Sequence, residues 1–182
     1  MTDPAQPMLL VGYLVPPFNH PDRHSINALV EILGGSRSSR LYRRLVKEER
    51  KAIALEVTLL PGNRYDRLLT IYALPAPGVR AEALLPILDE EISRLRDHGI
   101  LEAELQKFHA RSLAALIRQM NSNSGLAGML TFYEVLAGSW RALFTEMDLI
   151  RAISAQNVLQ AARRYLSSTN RTVGILESNG VT

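Results

Sequence analysis

Cysteine is absent from this 182-residue chain, which excludes disulfides, thiolate nucleophiles, thiolate-ligated zinc and iron–sulfur clusters. Aromatic residues are scarce at 6%, with a single tryptophan. Charge of one sign is lacking too: the net charge is +3, too small a surplus to argue for a nucleic-acid partner, although the segment from Arg37 to Lys51 is locally basic. No apolar run nears the ~18 residues of a membrane span, because proline, glycine or charge interrupts each one. The opening Met1 to Pro7 has neither the basic nor the apolar region of a signal peptide, and the compartment stays open.

Several chemical motifs are missing as well. The sequence contains no His-Glu-x-x-His or its inverse His-x-x-Glu-His, no Gly-x-Ser-x-Gly nucleophile elbow, no Walker-type phosphate loop and no Gly-x-Gly-x-x-Gly. Without cysteine, a metal would fall to carboxylates and the four histidines. His20 and His24 have the i, i+4 spacing of two ligands on one helical face, but Pro21 pushes His20 out of the helical region, so both read as residues of a loop leading into a helix. His98 precedes Gly99 at a helix end and reads as a cap on the negative end of the dipole. His109 falls on the apolar stripe of a long helix and reads as a hydrogen-bonded residue at the core margin. Asp89-Glu90-Glu91 reads as the solvated face of an amphipathic helix. No self-sufficient active site assembles, and no metal site or cofactor is expected in this chain.

What is present is a globular composition, 47% apolar and 21% charged, long enough for one domain with its own core. Residues 1–7 read as a linker or tail, 8–178 as a single domain and 179–182 as a tail. Met8 to Val15 is a continuous apolar run of strand length that suits burial on both faces. Helical spacing of Ile26, Leu29, Val30 and Leu33 ends at Gly34-Gly35, and a second helix is expected from about Ser38. Alternation over Ile53 to Leu60, the turn Pro61-Gly62-Asn63 and the run Leu68 to Leu74 predict an antiparallel hairpin. Helices follow on Leu84, Leu88, Ile92 and Leu95, from about Glu102 to Met120, over Leu126 to Leu136 beyond a break at Asn121 to Gly125, and after Ser154; Arg171 to Glu177 is the last strand. This order excludes all-α and all-β folds and argues for α+β: a mostly antiparallel mixed sheet with helices layered on one face.

The segment that stands out runs from Leu33 to Glu49: a glycine hinge, a hydroxyl-rich helix start and a basic helix. Such a helix start can hold an anion or a peptide carboxylate; the same residues also read as ordinary N-capping by Ser36, Ser38 or Ser39 with solvated arginines.

At this segment the chain resembles the peptidase family typified by insulinase, pitrilysin and the mitochondrial processing peptidase, the peptidase M16 family, and specifically its non-catalytic half. The features arrive in the family's order: Gly12-Tyr13-Leu14-Val15-Pro16, Ala28-Leu29 through Ile32-Leu33-Gly34-Gly35, Ser38-Ser39-Arg40-Leu41-Tyr42, Leu45-Val46-Lys47-Glu48, then Glu104-Leu105 and the stretch from Asn157-Val158 to Tyr165-Leu166. The resemblance implies a two-lobed clamshell, in one chain or as a heterodimer, that closes over a peptide substrate. One half carries His-x-x-Glu-His and the zinc; this half would lack both and help to hold the peptide, with Gly34, Gly35, Ser36, Ser38, Ser39, Arg40, Tyr42, Val46 and Ile53 as substrate-binding or lobe-interface residues. Many such halves carry an arginine after this block and a tyrosine seven residues later. An ungapped placement puts those slots on Val46 and Ile53, and a shift of two puts them on Glu48 and Leu55, so neither register supplies that pair. A second expectation follows from the resemblance: a scaffold subunit of the same fold, like the respiratory-complex core proteins, without peptidase work.

Overall fold

The computed structural model describes residues 6–177. Of the expected tails only Gln6 and Pro7 fall among them; residues 1–5 and 178–182 lie outside the described residues.

The apolar run Met8–Val15 forms β1, which pairs antiparallel with β3 (Arg67–Pro75) on one side and with β4 (Arg171–Leu176) on the other. β2 (Ala52–Leu60) completes the hairpin with β3, giving the order β2-β3-β1-β4. Every pairing among the described residues is antiparallel and the helices gather on one face, so the architecture is the expected α+β. The expectation of a β1 buried on both faces needs correcting. Leu9, Val11, Tyr13 and Val15 are buried, whereas Leu10 and Leu14 are 42% and 51% exposed. Side chains alternate along a strand, so the second set points to the face without helices. The unbroken apolar run therefore marks a sheet with one uncovered apolar face.

Helix α1 (Arg23–Gly34) packs against β2 and buries Ile26, Ala28, Leu29 and Leu33. It stops at a glycine for a steric reason: a Cβ on Gly34 would lie 2.2 Å from Val57 Cγ2 and 3.0 Å from the Val57 backbone nitrogen. The next helix starts at α2 (Arg40–Tyr42) and continues as a π-helical stretch over Arg43–Glu48. Leu84 and α3 (Leu85–His98) bury the predicted stripe, with Pro86 harmless in the first turn. The break between α4 (Glu102–Met120) and α5 (Asn123–Ala137) falls where the polar stretch predicts it, and the Ser122 hydroxyl caps the new helix by accepting the Gly125 N–H. Ser154 likewise opens α7 (Ala155–Tyr165), accepting the Asn157 N–H while Asn157 Oδ1 accepts the Ser154 N–H.

Between Gly138 and Ser154 the sequence reading assigns no element, and there the structure has a 3-10 turn, Trp140–Thr145, followed by α6 (Glu146–Arg151). The signal was available: Leu143, Met147 and Ile150 recur at helical spacing, and all three pack into the core. The omission matters because α6 supplies Glu146 to the interior.

Candidate functional site

Three features of the structure bear on function: the Gly34 to Ile53 segment, the uncovered face of the sheet, and a cleft among the helices. In the first, Ser39 takes an extended N-cap conformation, its hydroxyl donates to the Ser36 carbonyl at 2.6 Å, and no side-chain cap bond forms to the helix. Lys107 of α4 donates to the Ser36 and Ser38 hydroxyls at 2.7 and 2.5 Å. Arg40 grips Glu104 with two bonds, Nε to Oε1 at 2.8 Å and Nη2 to Oε2 at 2.6 Å, and reaches the Gly99 carbonyl. Arg44 donates to Glu49, Glu90 and Glu91. These arginines are thus not the solvated face of the sequence reading; they latch the basic helix to α3 and α4.

The same contacts correct the reading of Asp89-Glu90-Glu91. Glu91 is buried under Arg44 and Arg94, Glu90 is held by the same two arginines, and Asp89 pairs with Arg171 of β4. Arg44 holds the Glu90 and Glu49 carboxyls below the usual range. Burial pushes Glu104 up, but Arg40 and the Leu101 N–H together outweigh it and leave its pKa lowered.

Of the other residues singled out, Gly34 and Gly35 lie at the α1 terminus, and Tyr42 and Val46 are half-buried against the core. Ile53 is exposed at the β-bulge where β2 shifts register against β3 between Ala52 and Ala54. The structure gathers Ser36, Ser38 and Arg40 at the N-terminal end of α4, and leaves Ile53 on an edge strand.

On the uncovered face of the sheet, Leu14 stands opposite Leu68, Gly12 opposite Thr70, and Leu10 opposite Tyr72. Leu68 is 40% exposed, so together with Leu10 and Leu14 it gives the centre of that face an apolar surface open to solvent.

The cleft is the feature that sequence reasoning misses. It measures about 810 Å³ and opens among α1, α4, α5 and α6, with Phe108 and Leu116 on one wall and Met129 and Phe132 on another. His24, Tyr133 and Glu146 line it and are buried, as is Arg23, which contacts His24 and Glu146. Arg23 Nη2 donates to Glu146 Oε2 at 2.7 Å and to His24 Nε2 at 2.9 Å, while its guanidinium lies 4.0 Å from the Phe18 ring centroid. His24 therefore sits inside α1 rather than in a preceding loop, and burial, then the Arg23 charge, draws its pKa down to about 4. Burial, then Glu146, pushes the Tyr133 phenol up, which keeps it protonated. The remaining histidines fall as expected. His20 Nδ1 accepts the Asp22 N–H in the loop, His98 ends α3, and His109 Nε2 bonds the Ile153 carbonyl. Among the described residues no group of three or more histidines and acids could hold a metal ion.

Comparison with known proteins decides the family. Residues 1–110 match the family model described as the peptidase M16 inactive domain. The chain belongs to the peptidase M16 family, as its inactive domain. A curated relative, the zinc protease PqqE of Helicobacter pylori, is 26% identical over 168 residues, 92% of this chain and 37% of the relative. The chain thus spans little more than a third of that relative's length. Among solved structures, a protease from Helicobacter pylori superposes with a TM-score of 0.87 at 25% identity, covering 97% of this chain and 42% of that one. The inactive peptidase domain of a zinc protease from Bordetella parapertussis superposes with 0.85 at 22% identity, over 98% of this chain and 96% of that one. Complex III2 from Candida albicans contains a chain with the same fold, TM-score 0.76 at 16% identity, over 94% of this chain and 42% of that one. The M16 inactive domain here has the fold of all three, and its sequence carries none of the zinc-protease signatures. No helix among the described residues is long and apolar enough to cross a membrane.

Proposed function

We propose that this M16 inactive domain is the non-catalytic half of a zinc metalloendopeptidase, closing over a peptide that a separate half, bearing His-x-x-Glu-His and the zinc, presents. The observation that carries the reading is the uncovered sheet face, where Leu10, Leu14 and Leu68 expose apolar surface that the helices leave open. An extended peptide between two such halves removes that surface from water, and backbone pairing along a sheet edge adds to its affinity. Gly34, Gly35, Ser36, Ser38, Ser39, Arg40, Tyr42, Val46 and Ile53 belong to the substrate-binding or lobe-interface surface in this reading. Their part is shape and positioning: Arg40 is committed to Glu104, and Val46 and Ile53 have no side-chain donor for a transition-state charge.

The Val46 and Ile53 side chains also favour a second reading, a scaffold subunit without peptidase work. Peptide cleavage by a zinc-bearing half of the family, measured with and without this chain, separates the two. The peptidase reading expects turnover to rise when the chain is added and to be absent with the chain alone; a scaffold leaves the rate unchanged. Zinc-dependent cleavage by the purified chain overturns both.

A further inference from the structure

The helical cleft lies on the opposite side of the sheet from the face assigned to peptide, and nothing above gives it a task. We propose that it is a binding site for a small molecule with an aromatic or acyl body and a hydrogen-bond acceptor. Its size, about 810 Å³, is that of a ligand pocket, and its lining combines aromatic and aliphatic side chains such as Phe108, Leu116, Met129 and Phe132 with the polar Asn27, Ser112, Arg118 and Gln119. Arg23 and Glu146 neutralise each other within their buried pair, and Arg118 adds a cation to the lining.

His24 specifies the polar end of the ligand. A guanidinium is always a donor, so His24 Nε2 is the acceptor of the 2.9 Å contact with Arg23, and the neutral ring carries its proton on Nδ1. No hydrogen bond to that N–H is found among the described residues, although His24 is 6% exposed and lines the cleft. A ligand carbonyl or ether oxygen would satisfy it. A second, independent sign is Gly128 of α5, which also lines the cleft. A Cβ there meets nothing within 4 Å, so packing does not require glycine, and α5 accepts a poor helix former that keeps the space open.

The probe is Prodan, a neutral naphthalene with one carbonyl acceptor whose emission moves to the blue in apolar surroundings. Titration into the intact chain is expected to give saturable one-to-one binding. Gly128→Leu fills the cleft and is expected to weaken binding at least tenfold without lowering Tm, since it removes a helical glycine. His24→Phe keeps the ring and removes the N–H, weakening binding about fivefold, the worth of one net hydrogen bond. Val135→Ser alters an exposed apolar residue of α5 outside the cleft and is expected to leave binding unchanged. The proposal is overturned if the wild-type chain shows no saturable binding, if Gly128→Leu leaves it intact, or if Val135→Ser abolishes it.

Discussion

Arginines anchor both the basic helix and the base of the cleft, on opposite terms. Arg40 and Arg44 lie at the margin of the helical layer, their side chains 14% and 17% exposed, and spread their bonds over four carboxylates, of which Glu49, Glu90 and Glu104 still reach water while Glu91 is buried. Arg23 has one carboxylate, Glu146, with both side chains about 10% exposed, and completes its shell with a histidine and an aromatic ring. The first arrangement is redundant at Arg44, where losing one acid leaves two others, while Arg40 has Glu104 and the Gly99 carbonyl. The second has a single counter-charge. Redundancy suits a latch between helices, whereas a sole buried pair makes the cleft base sensitive to any change in charge.

The sharpest test removes the single counter-charge. Glu146→Leu strands Arg23 in the interior and is expected to cost about 3–5 kcal/mol, read from the urea unfolding midpoint. A loss below about 1 kcal/mol would show that Arg23 finds water as easily as the latch arginines, and the contrast would collapse.

Acid provides the second test, because the two clusters lose stability in different windows. The His24 pKa is about 4 in the folded chain against an ordinary 6.5, so between those values the unfolded chain takes up a proton that the folded chain refuses. Stability contributed by His24 is full above pH 6.5 and falls by about 3 kcal/mol as the pH drops to 4. The latch carboxylates Glu49 and Glu104, whose pKa values are lowered, contribute stability that is full above the ordinary carboxylate value and is lost as the pH falls from there through their lowered values. Thermal melts across pH 4–7 are expected to slope in the wild-type chain and to flatten in His24→Phe; an unchanged slope in that variant assigns the loss elsewhere.

Glu104→Ala ranks third. It removes both bonds from Arg40 and the acceptor of the Leu101 N–H at the start of α4, yet leaves Arg40 near solvent and still bonded to Gly99. The expected cost is about 1–2 kcal/mol by urea unfolding, below that of Glu146→Leu. A cost equal to or above the latter would reverse the order of the two clusters.

The two regions were also unequally legible in the sequence. Ser38 to Tyr42 with its preceding glycines announced the family, and capping serines and helical spacing located most elements to within a few residues. Local pattern carries that information because it reports period and chain direction. It does not report partners. Glu91 looks like surface until Arg44 covers it, and Glu146 lies 123 positions from Arg23, in a helix of six residues. Leu10 and Leu14 mislead for the same reason: an apolar run shows that both faces are apolar, not that both are covered. The site residues chosen by resemblance therefore cluster in one stretch of chain, whereas the cleft is assembled from four helices.

The smallest expected effect fixes the lower end of the comparison. Arg43 lies three residues from Arg40 and pairs with Glu48 at 3.2 Å, but the two side chains are 60% and 57% exposed. Sequence makes Arg40, Arg43 and Arg44 look equivalent, as basic residues of one short helix; burial alone separates them. Water screens the exposed pair, and holding two long side chains together costs entropy, so Arg43→Ala should change stability by less than about 0.5 kcal/mol. Alanine's better helix propensity offsets part even of that. If urea unfolding instead gives a loss above about 1 kcal/mol, exposure does not rank these arginines. The latch would then be a cooperative network in which Arg43 counts, and the redundancy that distinguishes it from the cleft base would have to be abandoned.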